Sequence, residues 1–277
     1  MVRQFKLINA LGQEFDLMRK DAFFQTPSGL GFSVDFDVEP VGYDWIETDS
    51  QIDQKTVSGE LVFTKYQGYQ EFIRFCSLSP LSLCYCPVDT WYYIPCKLGK
   101  IDKGEFQRAS RRLICPVDFI CFGLWYESVQ ITQTQLGDNE GKIYAYTYPY
   151  TYVETAAGVA QLDNTGTLPS YAKLHIKGPC TNPGWALTVG GQVTVRGRVM
   201  AEIPAGNKLV VDSAPATMEI AEYTQDNRFV ENLYPKSDFS TARFLTIPVG
   251  KSQITFSHEG VGPIDAFVEV RQLATSV

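Results

Sequence analysis

Period-two alternation governs most of this chain, and a segment written that way folds as strand rather than helix. In GLGFSVDFDVEPVG (29–42), Phe32, Val34, Phe36 and Val38 fall on one face, with Ser33, Asp35 and Asp37 on the other. That pattern predicts a half-buried strand. Phe5 and Leu7 before the turn ALGQE, and Phe15 and Leu17 after it, give a first strand pair; VSGELVFT adds another through Val57, Leu61 and Phe63. One segment follows a different rule. In TKYQGYQEFIRFCS (64–77), Tyr69, Phe72, Ile73 and Cys76 stand at i, i+3, i+4 and i+7, which predicts a helix that Pro80 prevents from continuing. Strands resume in LSLCYCPVDTWYYIPCKLG and RRLICPVDFICFGLWYES. The 17 Phe, 15 Tyr and 4 Trp support the same reading, because aromatic side chains suit pleated, half-buried surfaces.

The 277 residues could form one large domain or two ordinary ones. A polar, glycine-containing stretch, QTQLGDNEGK from residue 133, marks a boundary and divides the chain into 1–135 and 136–277. Beyond it, YAKLHIKG, WALTVGG, QVTVRGRV, KLVVDS, ATMEIAEY, RFLTIPVGKSQITFSH and DAFVEVRQL alternate with Gly, Pro and Asn turns. Short strands at such regular spacing predict an antiparallel sandwich, with no helix after residue 136. The class is mainly β throughout.

The chemistry of turnover has little to stand on. A formal charge of −7 is spread evenly, with 13 basic and 17 acidic residues in 1–135 and 11 and 14 in the rest. No basic run exists to grip phosphates, so nucleic acid is not expected as a tight ligand. No apolar run of about 18 residues predicts a membrane span, and the N-terminus does not read as a secretory leader. Seven cysteines, an odd number, with no CxxC pair and only His175 and His258 beside them, predict buried thiols acting as small hydrophobes. SGLGFS and EGVGPID each hold GxG, but neither opens a helix, so the dinucleotide fingerprint fails. His175 alternates with Lys173 and Lys177 and is placed on the polar face of its strand; His258 precedes a glycine turn. Neither belongs to a nucleophile motif. No catalytic, metal-binding or cofactor-binding residue is assigned, and no enzyme activity is expected.

Tyr144, Tyr146, Tyr148, Tyr150 and Tyr152 alternate without a miss in IYAYTYPYTYVE. If the segment is extended, all five rings share one face, and Pro149 makes it an edge or bent strand. Tyrosine pairs apolar area with a polar tip, so the ladder reads either as a contact surface, saccharide included, or as one face of a core.

Taken in order, these segments resemble the distal tail protein family of long-tailed bacteriophages. The resemblance lies in INALGQEF, SGLGFSV, KYQGYQEFIRF, CYCPVDTWYYIPCKLGKIDKGEF and ICPVDFICFGLWYE, then in the tyrosine ladder, LDNTG…P…LHIKG…NP, IPAGNKLVVD and FLTIPVGKSQITF. It implies an N-terminal β-sandwich with one α-helix and a C-terminal, galectin-like antiparallel β-sandwich. It also implies a virion protein, made in the host cytoplasm, whose N-terminal domains join six copies in a ring. Such a ring would cap the tail tube, meet the tail-spike or tail-lysin hub protein, carry receptor-binding proteins on its outer domains and let DNA pass through its channel. The DNTG and TNP turns would then be strand connections, since Asn tolerates the left-handed backbone and Pro183 stops pairing. A galectin sugar site resembles HxNPR followed by WGxE; CTNPGW lacks its His and Arg, so sugar binding is not carried over. A carbohydrate-binding module for cell-wall saccharide remains the second reading. GKSQ at 250–253 departs from a Gly-Asn turn common in the family, and the chain has no room for an inserted carbohydrate module. The resemblance makes Tyr43 and Trp45, in PVGYDWIE, candidates for the ring interface. It makes Asp35, Asp37 and Glu39 candidates for the channel wall, and the five ladder tyrosines candidates for an outer contact surface.

Overall fold

The computed structural model describes residues 3–107, 109–135, 157–260 and 262–277. It divides into two compact units, Met1–Glu127 with Leu273–Val277, and Ser128–Gln272. Among the described residues it is mostly antiparallel strand, with a single α-helix.

In the first unit, Ala22–Ser28 pairs with Thr56–Phe63, which pairs with Leu113–Cys121, which in turn pairs with Tyr92–Ile101. Leu81–Cys86 joins Tyr92–Ile101 to Gln4–Ile8. Alternate residues of these strands point inward, so Phe5, Phe24, Phe63 and Phe119 are fully buried in one cluster, joined there by Trp125 from the next strand, Trp125–Thr132. The helix runs Tyr66–Cys76, as its 3.6-residue period predicts, and it inserts Phe72 into that cluster. Phe72 meets Phe15 edge-on at 5.5 Å. Ser77 and Leu78 close the helix by donating to the carbonyls of Ile73 and Phe75. The last residues of the chain were assigned by sequence to the second half. In the structure they belong to the first unit, because Ala274 is buried in its core.

The second unit is a sandwich. One sheet places Ser170–Lys177 between Asn207–Asp212 and Asp265–Ala274, with Glu219–Thr224 and Phe229–Asn232 continuing outward. The other places Gly250–Ser257 between Ala157–Asn164 and Gly184–Val189, with Gln192–Arg198 at its edge. Leu174, Ile176, Val211 and Val268 from the first sheet share a core with Leu162, Trp185, Leu187, Ile254 and Phe256 from the second.

Both asparagine turns are architectural, by two different means. Asn182 adopts the left-handed backbone expected of it, at φ 49°. Asn164 is buried and works through its side chain. Its Nδ2 donates to the carbonyls of Leu168 and Ile247, and its Oδ1 accepts from the Gly166 amide. Satisfying each polar atom of a buried amide in this way fixes the turn without an orphan.

Two sequence expectations fail here. Val34–Val41 is not a half-buried strand: it pairs only with Asp44–Ile52, as a separate two-stranded sheet, and both strands are exposed almost throughout. His175 alternates with lysines but is buried, because the ring of Phe267, its cross-strand partner, stacks on it at 4.3 Å. Its Nε2 lies 3.6 Å from Oε1 of Glu269.

Candidate functional site

The 34–52 hairpin is the most unusual surface of the first unit. At its base the chain is fixed. Lys55 is buried and donates through Nζ to the Gly31 carbonyl, and the Asp53 amide donates to the Ser33 carbonyl at 3.2 Å. Burial pushes the Lys55 ammonium below its ordinary value, so this contact is made by a partly desolvated cation. Gly29 (φ 81°) lies so close to the Thr56 carbonyl that no side chain fits there. At the tip, Val41 faces Asp44 across the two-residue loop Gly42-Tyr43, with Gly42 at φ 68°, as a type II′ turn requires.

Register sorts the hairpin into two faces. Val34 lies opposite Ile52, Phe36 opposite Ser50, Val38 opposite Glu47 and Pro40 opposite Trp45, which makes one face largely apolar. Asp35 lies opposite Gln51, Asp37 opposite Asp49, Glu39 opposite Ile46 and Val41 opposite Asp44, which makes the other largely acidic. A bulge between Asp37 and Val38 leaves Thr48 without a partner residue, and its hydroxyl donates to the Asp37 carbonyl. Six acidic residues and no basic one lie in Val34–Ile52. Asp37 and Asp49 are therefore held as a like-charge cross-strand pair, which opposes hairpin formation.

The sequence-assigned ring-interface and channel-wall residues fall on this hairpin, but they do not form one cluster. Trp45 (69% exposed) belongs to the apolar face and Tyr43 (106% exposed) to the tip; Asp35, Asp37 and Glu39 belong to the acidic face. Sequence reasoning missed Phe36 and Val38 as surface groups because their alternation looked like a core face. Both are about half exposed, at 55% and 48%. The unbroken run of acids beside them was the available signal, since a face packed onto its own domain seldom carries so many. The ladder Tyr144–Tyr152 lies outside the described residues.

The reactive groups elsewhere are held by structure. All seven cysteines are free and buried. Burial pushes the Cys76 and Cys84 thiols up to about 12, and those of Cys121 and Cys180 up to about 11. His258 is buried, with Nδ1 accepting from the Gly260 amide and Nε2 donating to the Gly262 carbonyl. Among the described residues no group of three His, Cys, Asp or Glu side chains is arranged to hold a metal ion, and no helix is long and apolar enough to cross a membrane.

Residues 4–122 match the profile described as distal tail protein, N-terminal domain. The chain carries a distal tail protein domain. That domain contains the hairpin, its anchored base and the helix. Over the whole chain the fold is similar to a chain of the phage P2 baseplate in its activated conformation with Ca, at TM-score 0.70 and 18% identity, covering 100% of both chains. The same baseplate with Sr gives TM-score 0.69 and 18% identity, again over 100% of both chains. The SPP1 Dit (gp 19.1) protein, described as a paradigm of the hub adsorption apparatus in Gram-positive-infecting phages, gives TM-score 0.60 and 10% identity, covering 96% of this chain and 98% of that one. No curated protein sequence matches the chain.

Proposed function

We propose that the protein is a structural, non-enzymatic component of a bacteriophage tail tip that assembles as a closed ring of six copies through its first unit. The observation that carries this reading is the hairpin. A two-stranded sheet is marginal by itself in water, yet this one extends an apolar face on which Phe36, Val38 and Trp45 are left exposed by the described residues of its own unit. Apolar area of this kind is retained where a partner covers it. A different patch of a second copy is the partner that closes a ring, because head-to-tail contacts repeat until the rotation closes.

On this reading Tyr43 and Trp45 lie in the ring contact. The acidic face, with Asp35, Asp37 and Glu39, turns away from it toward a channel. Negative charge there favours passage of DNA over retention, since phosphates are repelled from such a wall. The ring would sit in the virion between the tail tube protein and the tail-spike or tail-lysin hub. Receptor-binding proteins would dock on the second units, with the tyrosine ladder as their contact surface.

The test is particle mass by light scattering across a concentration series, with negative-stain imaging of the same sample. Rings of six with a central hole are expected. A monomer that persists at the highest concentration, and also when tail tube protein is added, would refute self-assembly through the hairpin.

A further inference from the structure

A depression of about 460 Å3 lies on the outward face of the smaller sheet of the second unit. Register builds it. Gly184 faces Arg198 on one side and Ser257 on the other, and Ala186 faces Arg196 and Thr255. The middle strand thus contributes almost no side chain, while its neighbours raise two guanidinium groups and two hydroxyls around the gap. A side chain at Gly184 would begin 3.2 Å from Ser257 Oγ, so the floor stays low because the residue is glycine.

The floor is also rigid. Trp185 is buried beneath it, its Nε1 donates to the Arg243 carbonyl at 2.9 Å, and Gly197 lies so close to the indole that an added Cβ would sit 2.5 Å from it. A third wall comes from the segment after Ser237. The Asp238 amide donates to the Arg198 carbonyl at 2.9 Å, and Ser240 donates to Asp238 Oδ1 through both its amide and its hydroxyl. Thr241 lines the same depression, and its Oγ1 is buried without a hydrogen-bond partner.

The charges decide the ligand class. Arg198 is neutralised by Glu259, which also accepts from Asn182. Arg196 has no ion pair among the described residues, and Asp238 stands in the same depression with its Oδ2 outside the Ser240 bonds. An anion would meet the Asp238 carboxylate, and a cation would meet Arg196. A neutral polyol meets neither objection, since each of its hydroxyls both donates and accepts. Neighbouring hydroxyls on one ring can accept from Arg196 and donate to Asp238, while Thr255 and Ser257 serve either role. The flat C–H face of the ring then lies on Gly184 and Ala186.

We propose that this depression is a binding site for a neutral sugar ring, read by Arg196 and Asp238 over the Gly184–Ala186 floor. All of its lining residues belong to the second unit, so the proposal does not rest on ring assembly through the first.

The test is saturation-transfer NMR on the full chain, titrated to about 100 mM with methyl β-galactoside, methyl α-glucoside and N-acetylglucosamine, with glycerol 1-phosphate as the anionic comparison. A shallow, open site predicts saturable binding of at least one neutral sugar at roughly millimolar Kd. Arg196→Ala should weaken it at least about tenfold, and Asp238→Asn likewise, with circular dichroism melts confirming that both variants fold. Arg196 is exposed and unpaired, so its variant tests recognition without disturbing the fold. No saturation with any of the three sugars, binding unchanged in both variants, or binding of glycerol phosphate alone would each overturn the assignment.

Discussion

Replacing Trp45 with serine separates assembly from folding. The side chain is 69% exposed in the single chain. A tryptophan presents up to about 250 Å2 to a partner, so roughly 170 Å2 of it is available to be covered in a contact. At about 25 cal/mol per Å2, that area stabilises each contact by about 4 kcal/mol, the scale of an interface hot spot. Loss of about 4 kcal/mol corresponds to nearly a thousandfold in the association constant of one contact. The folded chain, by contrast, should lose no more than about 0.5 kcal/mol, the usual scale for an exposed position without special contacts. Trp45→Phe should recover most of the affinity, because it restores an apolar ring. Sedimentation velocity across a concentration series reads the assembly midpoint, and thermal melts of the same samples read the fold. An unchanged midpoint for Trp45→Ser, with unchanged melting, would show that the apolar face of the hairpin is not in the contact.

The remaining predictions concern the two cores. Because all seven thiols are buried, native protein at pH 8 should react with less than one equivalent of Ellman's reagent, and unfolded protein with seven; fast labelling of the native state would contradict the closed cores. Glu269 is held below its ordinary 4.5, chiefly by the His175 ring, whose Nε2 lies 3.6 Å away, and against the effect of its burial. Its contribution is therefore present above pH 4.5 and lost as pH falls through the lower folded value. Glu269→Gln should flatten the decline of melting temperature below that pH, by no more than about 1 kcal/mol because the carboxylate is part-exposed; an identical acid profile would remove the linkage. Gly59→Ala would place a Cβ 2.5 Å from the ring of Phe24 and 2.9 Å from the Gln25 carbonyl. Phe24 is fully buried, so the strain should cost about 1–3 kcal/mol, measured by urea unfolding. Parent-like stability there would mean that the core of the first unit is looser than its packing implies.

Much of this architecture was legible before any coordinates. The helix at Tyr66–Cys76 was readable because its apolar residues repeat at a spacing no strand can use, and Pro80 ends the possibilities. Strand identities were readable for the complementary reason, and so was the sorting of the hairpin's first strand into an apolar and an acidic face. What lay beyond the sequence was whether anything covers those faces. His175 and Val34–Val41 make the point in opposite directions. The histidine alternates with lysines yet is buried, because Phe267, 92 residues further along the chain, becomes its cross-strand neighbour. The hairpin alternates like a core strand yet is exposed, because its only pairing partner is the strand that follows it. The sugar-site candidates were illegible for a related reason: Arg196, Asp238 and Thr241 are scattered in sequence and meet only through the pairing of the sheet edge.

The sequence by itself thus determined period, punctuation and polarity: which residues form strands, where they turn, and which side chains share a face. Those are properties of the local backbone, set by side-chain alternation and by the few residues that tolerate unusual dihedrals. Only the tertiary structure decided burial, because burial belongs to whatever packs against a face. For a sheet residue that is set by partners far away along the chain, and for the apolar face of the hairpin by no described residue of its own unit.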